Sequence, residues 1–127
     1  MNILFLCVGN SARSQIAEAF ANKYGKNKVT ALSAGSSPSG KINEKAIHLM
    51  KEFDCDLNMH QSNGTKDLPQ IEVHSMVSMG CGDNCPTIKA KKRIEWNIQD
   101  PKDMELDEFR VVIKEIEKEV INLLRSI

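Results

Sequence analysis

The apolar run Ile3-Leu4-Phe5-Leu6 passes without a break into Cys7-Val8-Gly9-Asn10-Ser11-Ala12-Arg13-Ser14, and this passes into a stretch with apolar residues at Ile16, Ala17, Phe20 and Ala21. A contiguous apolar run reads as a strand covered on both faces, and the spacing that follows reads as one face of a helix. The segment between them is therefore a strand-to-helix turn. Such a turn directs several backbone N–H groups and the positive end of a helix dipole at one point, which makes a ready anion site. Cys7 stands at its mouth. Five residues separate it from Arg13, enough for a loop to curl round a tetrahedral oxyanion with sulfur and guanidinium fork both facing it. Ser14 can donate a hydrogen bond to the sulfur and so favour the charged nucleophile. The expected oxyanion-binding loop is Val8, Gly9, Asn10, Ser11, Ala12, Arg13 and Ser14, with the Asn10 side chain holding its shape.

The rest of the chain repeats the strand-helix alternation. Residues 2 to 7 read as the first strand, and Ser14 as the cap of a helix reaching Tyr24, stopped by Gly25. Residues 28 to 34 read as a second strand, followed by a polar turn from Gly35 to Gly40. Asn43 can cap a second helix whose apolar face is Ala46, Ile47, Met50 and Phe53. A long connection from Asp54 to Gln70 leads to a third strand at 71 to 79, and a fourth is expected at 93 to 98. Glu105 to Ser126 carries Phe109, Val112, Ile113, Ile116, Val120, Leu123 and Leu124 on one helical face. The implied fold is α/β: one domain over residues 1–127, a doubly wound, four-stranded parallel sheet with helices on both faces. In such sheets active groups gather at the carboxyl ends of the strands. Cys7, Cys81 and Asp100 then fall on one edge.

Seventeen basic and seventeen acidic residues cancel, so broad affinity for nucleic acid is not indicated and Lys89 to Arg93 reads as a solvated run. The first apolar run is too short for a membrane span or a signal peptide, and a cytoplasmic monomer is expected. Four cysteines occur, Cys7, Cys55, Cys81 and Cys85. In a reducing compartment they are more often reactive or metal-binding than cross-linked. Cys81 and Cys85 could be half of a zinc site, but no second Cys or His pair is near in sequence. With three residues between them, Gly82 included, they could also meet in a disulfide. Cys55 reads as buried and inert, His48 and His74 as surface or satisfied residues, and His60 as a candidate neighbour of the site. Asp100-Pro101 can be a turn initiator, or it can set a carboxyl group to protonate a leaving oxygen.

Cys7 to Ser14, Ser33-Ala34-Gly35 and Asp100-Pro101 resemble the low-molecular-weight protein tyrosine phosphatases over essentially the whole chain. Within that superfamily, Met79-Gly80-Cys81-Gly82-Asp83-Asn84-Cys85-Pro86 with Trp96 and Asp100-Pro101 is similar to the thioredoxin-coupled arsenate reductases. The phosphatases carry a tyrosine after the Asp-Pro pair, whereas Lys102-Asp103 follows here. The resemblance implies arsenate reduction through a relay. Cys7 attacks arsenic, Asp100 protonates the departing oxygen, Cys81 resolves the adduct, and Cys85 takes over the disulfide. A thioredoxin-type thiol donor is implied as co-substrate, with no tightly bound cofactor. Better-known members space their second and third redox cysteines further apart, so the relay order and the reductant, thioredoxin or a small thiol, stay open. Some such reductases bind potassium, and Asn10, Glu18 and Ser33 match that pattern, although Asn63 stands where a carboxylate is expected. The alternatives are hydrolysis of phosphoesters by Cys7, Arg13 and Asp100 alone, and a non-catalytic oxyanion-binding redox switch.

Overall fold

The computed structural model describes residues 1–80 and 88–127. Strand β1 (Asn2–Cys7) runs up the middle of a sheet ordered β2-β1-β3-β4, with β2 at Thr30–Gly35, β3 at Val73–Ser78 and β4 at Ala90–Glu95. All three pairings are parallel. Helices α1 (Arg13–Tyr24), α2 (Glu44–Met50) and α3 (Leu106–Arg125) complete the order, with short 3-10 turns at Lys51–Phe53 and Thr65–Asp67. The four-stranded parallel α/β architecture expected from the alternation is the one observed.

The pleat of β1 divides the core. Ile3, Phe5 and Cys7 point to the side on which α1, α2 and α3 pack, together with Phe20, Leu49, Phe109 and Ile113. Leu4 and Leu6 point the other way, to Ala34, Val73 and Met76. Among the described residues the three α-helices share the first face. On the second, the turn at Thr65–Asp67 stands beside β2, and Leu68 and Ile88 pack over the strands. All seven apolar positions expected of the last helix are buried, and each large one contributes about 1.5–3 kcal/mol by leaving water. Asn43 caps α2 as expected, its Oδ1 accepting from the Ala46 amide at 3.1 Å, a contact worth about 1 kcal/mol.

Three expectations shift. Helices are expected on both faces of the sheet, but among the described residues the three α-helices lie on one, and the segment leading into β3, with its 3-10 turn, covers the other. The fourth strand lies at Ala90–Glu95, three residues before the expected 93 to 98. It is an edge strand, and its exposed Lys91, Lys92 and Arg93 suit an edge, where charge discourages pairing with another chain. Trp96 follows it and packs on Phe5, ring centroids 5.7 Å apart. Ser14 does not cap α1. That place falls to Ala12, which has no side-chain cap bond, because the helix begins at Arg13 and Ser14 already lies inside its first turn.

The sole tyrosine reports on the packing of α1 against α3. Tyr24 donates to Glu117 Oε2 at 2.6 Å, and this bond, aided by desolvation, pushes its pKa up to about 12. A folded value above the unfolded one means that the contact favours folding fully below about pH 10 and is lost as pH rises through the folded value. Absorbance titration of the phenol should therefore show a midpoint about two units above that of free tyrosine. A Glu117→Gln chain should titrate lower. A wild-type midpoint at the free-tyrosine value would contradict the contact.

Candidate active site

Cys7 ends β1 opposite Gly35, the last residue of β2. The loop that follows crosses closely over that glycine. A Cβ there would stand 2.5 Å from the Val8 carbonyl oxygen and 3.0 Å from the Asn10 amide nitrogen, so no larger residue fits. Beyond Gly35 the amides of Ser36, Ser37 and Ser39 donate to the carbonyls of Cys7, Val8 and Gly9 at 2.9–3.1 Å. The loop carbonyls are thereby turned to the neighbouring segment. The amides of Val8, Gly9, Ser11 and Ala12 make no hydrogen bond to other described residues, and these residues line a cavity of about 190 Å³ with Cys7, Arg13 and Asp100. Backbone donors without protein acceptors at the start of a helix are suited to an anion.

The hydrogens around the sulfur have a defined direction. Asn10, fully buried at φ 48°, accepts on Oδ1 from the Asn63 amide at 2.7 Å and from Gln15 Nε2 at 2.9 Å. A backbone N–H can only donate, so the opposite end of the Asn10 amide is the donor, and it gives a hydrogen to Ser14 Oγ at 2.8 Å. The Ser14 hydroxyl hydrogen is then free for Cys7 Sγ, 2.8 Å away. The Asn10 backbone N–H also donates to Sγ at 3.2 Å. Two donors converge on a sulfur that is asked only to accept, the arrangement that stabilises a thiolate. Hydrogen bonds to charged groups contribute about 1.5–3 kcal/mol, so Ser14→Ala should slow alkylation of Cys7 by iodoacetamide at neutral pH by about tenfold. An unchanged rate would show that the hydroxyl does not support the sulfur.

Arg13 is buried and enters the cavity from the first turn of α1. Its Nη1 donates to the Ile98 carbonyl at 3.1 Å, and its Nη2 lies 3.7 Å from Asp100 Oδ2. Gly80, at φ +78°, lies against the same guanidinium: a Cβ there would stand 2.3 Å from Nη1. Asp100 is half exposed at the cavity mouth, its Oδ1 accepting from the Lys102 amide at 3.1 Å. Cys7, Arg13 and Asp100 line one cavity, and Ser14 is bonded to the Cys7 sulfur. Cys81 and Cys85 lie outside the described residues.

Gln15 is a participant that carries no obvious sequence signal, while His60, Glu18 and Ser33, singled out in the sequence, lie beside it. Gln15, almost fully buried, ties Asn10 to the Gln61 carbonyl and faces His60 Nδ1 at 2.9 Å. His60 also lies 3.1 Å from Glu18 Oε2, and Ser33 donates to Glu18 Oε1 at 3.1 Å. Asn10 Oδ1 accepts from the Asn63 amide and from Gln15 Nε2, and Glu18 Oε1 accepts from Ser33. His60 borders the loop through Gln15, while His74 bonds the adjacent Ser75 and His48 is exposed on α2. Cys55 is buried in the core, where desolvation raises its pKa and keeps the thiol protonated.

A cysteine sulfur held by two donors, an arginine and a carboxyl group stand around a strand-to-helix loop in a parallel α/β fold. The chain belongs to the low molecular weight phosphotyrosine protein phosphatase family, whose model matches residues 2–127. It is 41% identical over 118 residues to arsenate reductase 1 of Bacillus cereus, covering 90% of this chain and 87% of that protein. Among solved structures it is similar to an arsenate reductase in the phosphate binding state, with TM-score 0.90, 30% identity, and coverage of 99% of this chain and 98% of the other. A thioredoxin-dependent arsenate reductase of Corynebacterium glutamicum matches with TM-score 0.78 and 28% identity, covering 98% of this chain and 60% of that one.

Proposed function

We propose that the chain is an arsenate reductase that works through Cys7, Cys81 and Cys85 and is regenerated by thioredoxin or a similar thiol donor. The observation that carries the first step is the run of hydrogens from Asn63 through Asn10 and Ser14 to the Cys7 sulfur. Sulfur attacks arsenic while Arg13 and the loop amides hold the remaining oxygens and Asp100 supplies a proton to the oxygen that departs. The 3.7 Å separation of Arg13 Nη2 and Asp100 Oδ2 puts the carboxyl group close to the same oxyanion that Arg13 would grip.

Reduction requires a second sulfur. Cys81 attacks Cys7, the sulfur-arsenic bond breaks with its electron pair passing to arsenic, and arsenite leaves behind a Cys7–Cys81 disulfide. Cys85 attacks Cys81 and frees Cys7, and an external dithiol then reduces the Cys81–Cys85 disulfide. In support, Cys81 is the residue next to Gly80, whose backbone touches the guanidinium of Arg13. The arsenate reductases among the relatives point to the same chemistry. No bound cofactor is needed. A monomer in the cytoplasm suits such a cycle, and among the described residues no helix is long and apolar enough to cross a membrane.

A Cys85→Ser chain given one equivalent of arsenate under non-reducing conditions tests the sequence of steps. Peptide mapping should recover Cys7 joined to Cys81. Recovery of free Cys7 with arsenate unreduced would overturn the relay. The phosphatase reading shares Cys7, Arg13 and Asp100, with water in place of Cys81 as the group that resolves the adduct.

A further inference from the structure

The catalytic cavity continues into a groove of about 430 Å³, the two sharing Ser11, Ser39 and Lys102. The groove presents Lys41, Lys45 and Lys102 against one carboxylate, Glu44. This is a local excess in a chain whose charges cancel as a whole. Lys45 is occupied, its Nζ donating to the Met104 carbonyl at 2.7 Å. Lys41 and Lys102 are exposed. The ion pairs formed among the described residues join Arg13 to Asp100, His60 to Glu18, Lys91 to Glu72, and Arg110 to Glu52 and Asp107, and they use neither lysine.

Charge balance at the reacting centre gives these two cations a task. A thiolate at Cys7 must meet an oxyanion that is itself a dianion near neutral pH. Arg13 and Lys102 are the two cations that line the cavity, beside the loop amides. A thiolate and a dianion bring three negative charges together, which the single cation of Arg13 does not balance, and Lys102 supplies a second. We propose that Lys102, with Lys41 behind it in the groove, is an oxyanion-capture and specificity residue that selects small tetrahedral dianions over monoanions. Its backbone fits that role, since the Lys102 amide is anchored on Asp100 at the cavity mouth while the side chain lines both compartments. Clefts lined by one sign of charge concentrate counter-ions, an effect that weakens steeply with salt.

The proposal rests on the preceding reading only in that an oxyanion binds beside Cys7, and it is tested by binding without turnover. Inorganic phosphate is titrated calorimetrically into Cys7→Ser chains at low and high salt, with perchlorate as a tetrahedral monoanion. Adding Lys102→Met should weaken phosphate binding about tenfold at low salt, with the difference closing as salt rises. Lys41→Met should add to the loss, Lys102→Arg should restore binding, and perchlorate should respond less than phosphate. Lys91→Met, which removes a lysine away from the groove, should change nothing. In chains that retain Cys7, protection of the thiol from iodoacetamide by phosphate should give the same order. Unchanged phosphate binding in the Lys102→Met chain, or a loss that does not depend on salt, would overturn the proposal whether or not the enzyme reduces arsenate.

Discussion

Replacing Cys81 by serine should abolish multiple-turnover reduction of arsenate while leaving the binding of inorganic phosphate at the Cys7 loop intact. The reasoning is stoichiometric. Reduction of As(V) to As(III) takes two electrons, and a lone Cys7 thiolate can form an adduct but cannot release arsenite without a second sulfur to accept a disulfide bond. The loop itself owes its shape to Gly35, Asn10, Gln15 and Asn63, none of which the substitution touches. Phosphoester hydrolysis, if the chain has any, needs only Cys7, Arg13 and Asp100 with water, so it should survive. Arsenite release measured alongside hydrolysis of an aryl phosphate separates the two. Continued reduction by Cys81→Ser would mean that another thiol, internal or external, resolves the adduct.

Gly80→Ala should be the most damaging change that removes no functional group. The new Cβ would stand 2.3 Å from Arg13 Nη1, well inside contact distance, and φ at Gly80 is +78°, a conformation that costs an L-residue about 1–2 kcal/mol. Either the Gly80 backbone moves or the guanidinium gives up its place between the Ile98 carbonyl and Asp100. Loss of one well-placed donor to a developing oxyanion costs about 10²–10³ in rate. A decrease of that order in kcat/KM for arsenate is expected, with only a modest change in melting temperature because the contact lies at the site and not in the core. Activity close to wild type would show that Arg13 does not need the space that glycine leaves.

How much of this could be read from the sequence follows from how local the determinants are. The β1 to α1 crossing was legible because its code is contiguous: four apolar residues, a glycine and an asparagine, then helical spacing. Helix α3 was legible because its seven buried residues recur at helical intervals and its charges lie between them. Strand β4 was misplaced by three residues because an edge strand is specified by its partner β3 and not by its own pattern, which is a run of charged residues. Ser14 was read both as a partner of the sulfur and as a helix cap, and only the first role holds, since the helix starts at Arg13 and local spacing does not fix a helix end to within two residues. Gln15 left no trace. It sits beside Ser14 in sequence, but its partners at Gln61 and His60 come from 46 and 45 residues away. Gly80 was visible as a loop glycine, but its contact with Arg13 is a product of the tertiary fold.

The central claim is that Cys7 begins a catalytic redox cycle, as opposed to a single oxidation or a hydrolysis. It is tested most directly by following NADPH in a mixture of the chain, thioredoxin and thioredoxin reductase after arsenate is added. The account predicts sustained, arsenate-dependent consumption of many equivalents of NADPH per chain, absent when Cys7 is replaced by serine. Consumption that stops at one equivalent per chain, or none beside steady hydrolysis of a phosphoester, would contradict it.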